Sequence, residues 1–160
     1  NDKFIETYDY PSTGYDSLWL EKNGSDQCLE PLKLIALDCE MCETTKGVEV
    51  TRVTALNHNE ETILDVLVKP NNPIVDYRTQ YSGITEQMLA PVTTKLIQVQ
   101  LLLCRWIVKK TLIIGHSLEN DLRVLHLSHQ SIIDTTFLYP HPIGFPYRNK
   151  LKYLAKEYLK

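Results

Sequence analysis

Residues 34 to 42 read Leu-Ile-Ala-Leu-Asp-Cys-Glu-Met-Cys, an apolar run that contains two acidic residues two positions apart. Side chains alternate between the faces of a strand, so the run predicts a buried strand with Asp38 and Glu40 on one face. Residues with this spacing lie ~6.6 Å apart along the strand, where like charges repel unless a cation lies between them. Oxygen ligands alone favour Mg²⁺ or Mn²⁺. The run therefore predicts a metal site, and a solvent-facing strand end is the structural alternative.

Two further strand-like runs follow the first, and short polar breaks that suit hairpins separate the three. Together they predict an antiparallel three-strand meander, with the later strands at 48–56 and 63–68. Helix-like and strand-like patterns then alternate, with helices at 85–89, 93–109, 118–127 and 149–159 and strands at 111–115 and 132–134. We expect Ser117 to cap helix 118–127. A meander followed by such units predicts an α/β fold, a mixed sheet flanked by helices.

The composition of the chain is that of one globular domain. It has 160 residues, 43% of them hydrophobic, and a formal net charge of −3. We expect residues 1–32 to form an irregular arm and residues 33–160 to form the main domain. No apolar run approaches the ~18 residues of a membrane span, and no export or transit signal is visible. The cysteines, including the CxxC pair at 39 and 42, are expected to be reduced structural thiols rather than zinc ligands.

A third acidic residue lies in the segment Gly-His-Ser-Leu-Glu-Asn-Asp-Leu at 115–122. Asp121 falls one turn into a predicted helix, on the same face as Leu118 and Leu125. That face packs toward the sheet, where an acid without a role is not expected. A third inward carboxylate predicts a site for two divalent ions, a common arrangement for phosphodiester hydrolysis.

Four segments together resemble the DEDD 3′→5′ exonucleases of the DEDDh type, and most of all the Rex-type eukaryotic RNA exonucleases. They are ALDCEMC at 36–42, SGIT at 82–85, GHSLENDL at 115–122 and IDT at 133–135. The resemblance implies an RNase H-like fold and 3′→5′ removal of nucleotides from RNA with two Mg²⁺ or Mn²⁺ ions. In the Rex branch it further implies trimming of structured RNA 3′ ends, such as 5S rRNA or tRNA precursors, and a nuclear or nucleolar location.

The resemblance also implies roles for the acidic residues. Asp38 would bridge both metal ions, and Glu40 would be the second ligand of the ion that activates water. Asp121 would be the ligand of the other ion. The expected partner is an RNA 3′ end, and no membrane is expected.

Substrate-binding roles are implied for other matching residues. Met41 would pack on the terminal base, although an ordinary core residue is an equal alternative. The loop of Ser82, Gly83, Ile84 and Thr85 would border the terminal nucleotide, and an ordinary turn before a helix is again an equal alternative. His116 would contribute by shaping the loop before Asp121.

The family's last motif is a His followed, after four residues, by an Asp, on a helix beyond the position of Lys160, and neither residue is present. His129 and Asp134 have this spacing, but they follow Asp121 closely and Asp134 lies in the IDT match. We therefore predict that Asp134 is a helix cap. Without the final His and Asp, the 160-residue chain is expected to be weak or inactive. The alternative function is a catalytically inactive RNA-binding or scaffolding module with an incomplete nuclease site.

The end of the chain is basic, with a formal charge of +4 over residues 148–160. A solvated helix face is the simpler interpretation of this charge. A face that contacts a polyanion is the alternative.

Overall fold

The computed structural model describes Lys3 and residues 31 to 159, so the predicted arm lies almost wholly outside the described residues. Residues 31 to 159 form six strands: β1 Leu34–Thr44, β2 Gly47–Asn57, β3 Thr62–Leu67, β4 Ile74–Asp76, β5 Leu112–Gly115 and β6 Ile132–Asp134. The same residues form six helices: α1 Thr79–Ser82, α2 Glu86–Leu89, α3 Leu96–Leu103, α4 Leu118–Val124, α5 Thr135–Leu138 and α6 Leu151–Tyr158. None of these helices is long and apolar enough to cross a membrane.

The strands form one mixed sheet in the order β3-β2-β1-β5-β6, and β4 pairs with β1. The meander is confirmed, because β1 pairs antiparallel with β2 and β2 pairs antiparallel with β3. The later strands β5 and β6 are parallel to β1 and to each other. The fold class, a mixed sheet flanked by helices, is therefore as predicted.

The edge of β1 that faces away from β2 is only partly paired, which leaves a gap. On the side away from β2, β5 pairs only with residues 34–36 and β4 pairs only with residues 43 and 44. Among the described residues, no strand pairs with the part of this edge that lies between. Backbone groups of β1 in the gap must find other partners.

The core lies between the sheet and the helices α3 and α4. Its fully buried residues include Ile35, Ile113, Val99, Leu118 and Leu122, so alternate residues of the strands and one face of each helix supply it. Burial of these side chains provides the main driving force for folding.

The two thiols of the CxxC pair are buried in different surroundings. Cys39 packs in the main core, whereas Cys42 is also buried but lies beside Glu49 and Arg78. Neither thiol forms a disulfide, and burial raises the pKa of both.

Several local predictions were wrong. The helix predicted at 93–109 covers only Leu96–Leu103. The strand β4 and the helix α1 were not predicted, because a segment that contains several prolines and no regular hydrophobic period is typical of a loop. Ser117 is not a side-chain cap, since its backbone is left-handed (φ 56°, ψ 42°) and its hydroxyl makes no capping hydrogen bond. An N-cap side chain normally needs an extended backbone to reach the helix N–H groups.

Candidate active site

Asp38 and Glu40 lie on β1, opposite Thr54 and Arg52 of β2. Asp38 is exposed and Glu40 is half-buried. Although Asp38 as a whole is exposed, partial desolvation of its carboxyl group raises its pKa. The charges of His116 and Arg52 act in the opposite direction and lower it. The pKa of Glu40 is also raised, first by burial and then by the negative charge of Asp38. The two carboxylates therefore share one environment, as their spacing predicts.

Asp121 reaches the gap in the edge of β1 from α4. Its Oδ1 accepts a hydrogen bond of 2.8 Å from the backbone N–H of Cys39, so the carboxylate supplies the partner that β1 lacks there. The side chain is only 4% exposed. Burial, and then the charge of Asp38, raise the pKa of Asp121 to about 7. The structure thus brings Asp121 to β1 between Asp38 and Glu40, close enough to Asp38 for the two charges to interact.

The three acids form a donor set of oxygen atoms only, which is the chemistry that Mg²⁺ and Mn²⁺ prefer. Burial raises the pKa values of Glu40 and Asp121, and repulsion from Asp38 adds to this shift. A bound cation would offset the repulsion. The donor chemistry of the three acids therefore fits a divalent cation, although within residues 31 to 159 no three His, Cys, Asp or Glu side chains are gathered closely enough to hold an ion.

Arg52 is a residue of this site that the sequence analysis missed. Its guanidinium forms a bidentate pair with Asp65 of β3, at 2.7 Å from Nε to Oδ1 and 2.8 Å from Nη2 to Oδ2. The charge of Arg52 lowers the pKa of both Asp38 and Glu40. Only the register between β1 and β2 reveals this neighbour, and the sequence carries no local signal for it.

Asp134 is a helix cap, as predicted, and it serves two helices. Its Oδ1 accepts from the backbone N–H of Thr136 at 2.7 Å, at the start of α5. The same carboxylate accepts from the N–H groups of Ser117 at 3.0 Å and Leu118 at 3.1 Å, at the start of α4. Asp134 therefore performs the capping that had been assigned to Ser117.

His129 is engaged away from the three acids. Its Nε2 lies 2.6 Å from the carbonyl oxygen of Thr111, and burial lowers its pKa. His116 and Asp121 are also separated by four residues, as in the expected last motif. Both lie close enough to Asp38 for their charges to interact with it. This second pair lies within the GHSLENDL segment.

His116 lies at the end of β5, and its Nδ1 is 2.8 Å from the hydroxyl oxygen of Thr135. Met41 is half-buried and packs against the core, in agreement with the structural alternative. Its contact with a base remains a prediction.

The SGIT loop is held by hydrogen bonds within the loop and to the adjoining helices α1 and α2. The Oγ of Ser82 accepts from the N–H of Ile84 at 3.1 Å, and Gly83 ends α1 with a left-handed backbone (φ 67°). Ile84 is 1% exposed, and Thr85 caps α2 through Met88 N–H. An ion pair of 2.5 Å between Arg78 and Glu43 ties the start of α1 to β1. The loop is ordered by the protein itself, and its contact with a nucleotide remains a prediction.

Part of the basic charge near the end of the chain has a structural partner. Arg148 forms an ion pair with the buried Glu119 of α4, and its guanidinium lies 5.8 and 5.9 Å from the ring centroids of Phe137 and Phe145. The lysines of this segment, Lys150, Lys152 and Lys156, are exposed.

Comparison with known proteins gives matches along most of the chain. The family model described as "Exonuclease" matches residues 35–160. RNA exonuclease 1 of Saccharomyces cerevisiae is 41% identical over 156 residues, which cover 94% of this chain and 28% of that protein. RNA exonuclease 5 of Homo sapiens is 43% identical over 159 residues, which cover 97% of this chain and 20% of that protein. The chain thus spans less than a third of the length of these relatives.

Solved structures show the same fold at low sequence identity. The Pan2 catalytic unit of Neurospora crassa, described as its protease and nuclease domain, aligns with a TM-score of 0.70 at 23% identity, over 84% of this chain and 24% of that chain. Exonuclease X, solved with duplex DNA that has a 5′ overhang, aligns with a TM-score of 0.51 at 19% identity, over 78% of this chain and 72% of that chain. The mixed sheet with flanking helices is therefore an RNase H-like arrangement.

Proposed function

Because the chain belongs to the DEDD-type exonuclease family, we propose that it is the nuclease domain of a 3′→5′ RNA exonuclease, with Asp38, Glu40 and Asp121 as its metal-binding acids. The observation that carries the proposal is the 2.8 Å hydrogen bond from Cys39 N–H to Asp121, which brings an acid of α4 to β1 between Asp38 and Glu40. RNA as the substrate class is supported by the names of the relatives RNA exonuclease 1 and RNA exonuclease 5.

In this proposal, Asp38, whose charge acts on both Glu40 and Asp121, would contribute to both metal positions. Glu40 would help to hold the first ion and Asp121 the second. The hydrogen bond from Cys39 N–H fixes one oxygen of Asp121 against β1. Arg52 limits the negative charge around the pair on β1 while its own guanidinium is held by Asp65.

Two divalent cations, when bound, supply an activated water and neutralise the charge that develops on the phosphate. The three carboxylates hold and orient the reacting groups at the gap. Ser82 to Thr85 and Met41 are proposed to border the terminal nucleotide, and His116 to contribute to the same pocket. The resemblance assigns the general base to the histidine of the family's last motif, to which no residue of this sequence is assigned. The roles proposed for Met41, His116 and the loop from Ser82 to Thr85 are therefore binding and orientation.

Finer parts of the proposal concern the biological substrate. Trimming of structured RNA 3′ ends, such as 5S rRNA or tRNA precursors, and a nuclear or nucleolar location follow from the Rex-type resemblance.

A non-catalytic RNA-binding or scaffolding module is the second candidate. The observation that favours it is that, among residues 31 to 159, no three His, Cys, Asp or Glu side chains are gathered closely enough to hold an ion. The two candidates differ in one measurable property, since only the nuclease needs divalent ions at Asp38, Glu40 and Asp121.

The test replaces Asp38 with Asn and measures Mn²⁺ binding by isothermal titration calorimetry. We expect Asp38→Asn to abolish measurable binding, because the variant removes the carboxylate shared by both positions. Folding should be retained, since the change also removes repulsion from Glu40 and Asp121.

The matched control is Glu61→Gln, which removes one negative charge from the exposed turn between β2 and β3. This control should bind Mn²⁺ like the unmodified chain. Unchanged binding in a folded Asp38→Asn variant would overturn the metal assignment and leave the second candidate.

A further inference from the structure

Thr135 and His116 form a hydrogen-bonded pair at the ends of two neighbouring strands. The Oγ1 of Thr135 lies 3.1 Å from the carbonyl oxygen of Gly115, to which it donates, and 2.8 Å from Nδ1 of His116. A hydroxyl group has one proton. Since the carbonyl can only accept, both contacts are satisfied when the hydroxyl proton points to Gly115 and His116 Nδ1 carries a hydrogen that it donates to Thr135.

This assignment leaves Nε2 as the acceptor of the neutral His116 ring, because one ring nitrogen donates and the other accepts. The ring is half-buried. It lies close enough to Asp38 for its charge to lower the pKa of that carboxyl group. Nε2 is thus an acceptor without an assigned task beside the proposed metal ligands.

The backbone that carries His116 is held from the same place. Asp134, the residue before Thr135, accepts hydrogen bonds from the N–H groups of Ser117 and Leu118. Its side chain is 2% exposed, so these bonds are shielded from water. Two consecutive residues at the end of β6 therefore fix both the turn after His116 and the orientation of its ring.

We propose that Thr135 is a positioning residue of the site, which holds His116 in the Nδ1–H tautomer so that Nε2 accepts a hydrogen bond at the RNA 3′ end. The donor is a hydroxyl of the terminal ribose or a water molecule held beside it. This inference rests on the proposed nuclease function and adds a residue outside the metal-binding acids.

The first experiment determines the tautomer of His116 by the side-chain ¹⁵N chemical shifts of the full chain at about pH 8, where an ordinary histidine is neutral. His116→Gln identifies the signal. We expect the Nδ1–H form in the unmodified chain and a shift toward the Nε2–H form in Thr135→Val, which keeps the shape but loses the hydroxyl. Thr135→Ser should restore the Nδ1–H form.

The matched control is Thr136→Val, which makes the same change at the next residue, where the hydroxyl bonds to Asp134 at 2.8 Å. Its His116 should remain in the Nδ1–H form. An Nε2–H ring in the unmodified chain, or an unchanged tautomer in a folded Thr135→Val variant, would overturn the proposal.

The second experiment measures the affinity of each variant for a short RNA and for the same RNA with a 2′-deoxy terminal sugar, both in Ca²⁺. Thr135→Val should weaken RNA binding about two- to tenfold, the value of one net hydrogen bond, and Thr135→Ser should restore it. If the ribose 2′-hydroxyl is the donor, Thr135→Val will not affect the deoxy probe. If water or the 3′-hydroxyl is the donor, both probes will weaken equally.

Unchanged affinity for both probes, with an altered tautomer, would remove His116 from substrate binding and so overturn the inference. Failure of the nuclease proposal looks different, because it appears as unchanged Mn²⁺ binding in Asp38→Asn. The tautomer measurement needs neither metal nor activity, so it separates the two outcomes.

Discussion

At the scale of single residues, the dominant feature is an acid held where its charge is unfavourable. Asp121 is buried beside Asp38, and its pKa is raised to about 7. A folded-state pKa above the ordinary value near 4 means that the folded chain binds a proton that the unfolded chain does not. The free energy of unfolding of the metal-free chain therefore falls as the pH rises from about 4 to 7, and the contribution is lost above that range.

We predict that Asp121→Asn removes this pH dependence. The variant should gain stability relative to the unmodified metal-free chain as the pH rises from 5 to 8, by at most about 3 kcal/mol. Urea denaturation at the two pH values measures this difference. Mn²⁺ should stabilise the unmodified chain at pH 8, because a cation offsets the repulsion, and should have little effect on the variant.

Asp65→Asn is the control for this prediction, because Arg52 lowers the pKa of Asp65 and keeps it charged from pH 5 to 8. Its stability difference from the unmodified chain should not change over that range. A pH-independent difference for Asp121→Asn as well would show that Asp121 is already charged at pH 5.

At the scale of elements, the site depends on how closely α4 packs against β1 and β5. Gly115 ends β5 where the chain turns into α4. A Cβ atom there would lie 2.6 Å from Cδ1 of Leu118 and 3.0 Å from the carbonyl oxygen of Leu37. The first contact involves the end of a side chain, but the second involves backbone, which cannot easily move. Glycine is therefore required by close approach rather than by a positive φ.

We predict that Gly115→Ala destabilises the fold by about 1–3 kcal/mol, the usual cost of an overpacked core. Leu118→Ala alone should cost about 2–5 kcal/mol through the cavity it leaves. The double variant should cost less than the sum, because removing the Leu118 side chain relieves the shorter contact. Thermal or urea denaturation of the four proteins tests this, and strict additivity would contradict the proposed clash.

At the scale of the whole molecule, the sheet order brings distant segments to one place. In the sheet, β5 lies between β1 and β6. This order brings α4, with Asp121, and the end of β6, with Asp134 and Thr135, close to the acids of β1. The short reach of β5 and β4 along β1 then opens the gap that Asp121 fills. The exonuclease fold thus builds its acidic site from the topology of the sheet rather than from one continuous motif.

We predict that the 160-residue chain binds Mn²⁺ weakly and digests RNA slowly. Among residues 31 to 159, no three His, Cys, Asp or Glu side chains lie close enough together to hold an ion. His129, which could act as a general base, is bonded to Thr111, and a general base contributes about 10²–10⁴-fold in rate. The assay follows a 5′-labelled RNA in Mn²⁺, where a 3′→5′ enzyme yields a ladder of shortened products.

The control variant for this assay is His129→Ala, checked for folding by thermal denaturation. It should leave any slow digestion unchanged, since His129 Nε2 is bonded to the carbonyl oxygen of Thr111. Rapid digestion that is lost in a folded His129→Ala variant would show that His129 is the base.

The sequence by itself determined the features that repeat over short distances. Alternation of apolar and polar residues predicted β1 to β3 and placed Asp38 and Glu40 on one face, because a strand's side-chain period is fixed by its backbone geometry. Asp134 was predicted as a cap, because a short acidic side chain before a helix can reach that helix's own N–H groups.

Only the tertiary structure decided the contacts between distant residues. Asp121 and Cys39 are 82 positions apart, and the pairing of Glu40 with Arg52 depends on a strand register that no local pattern specifies. The second cap of Asp134 and the bond between Thr135 and His116 likewise require β5 and β6 to be neighbours. Such contacts are set by how the elements pack, since the free energy that selects one register comes from burying the whole core and not from the residues that form the site.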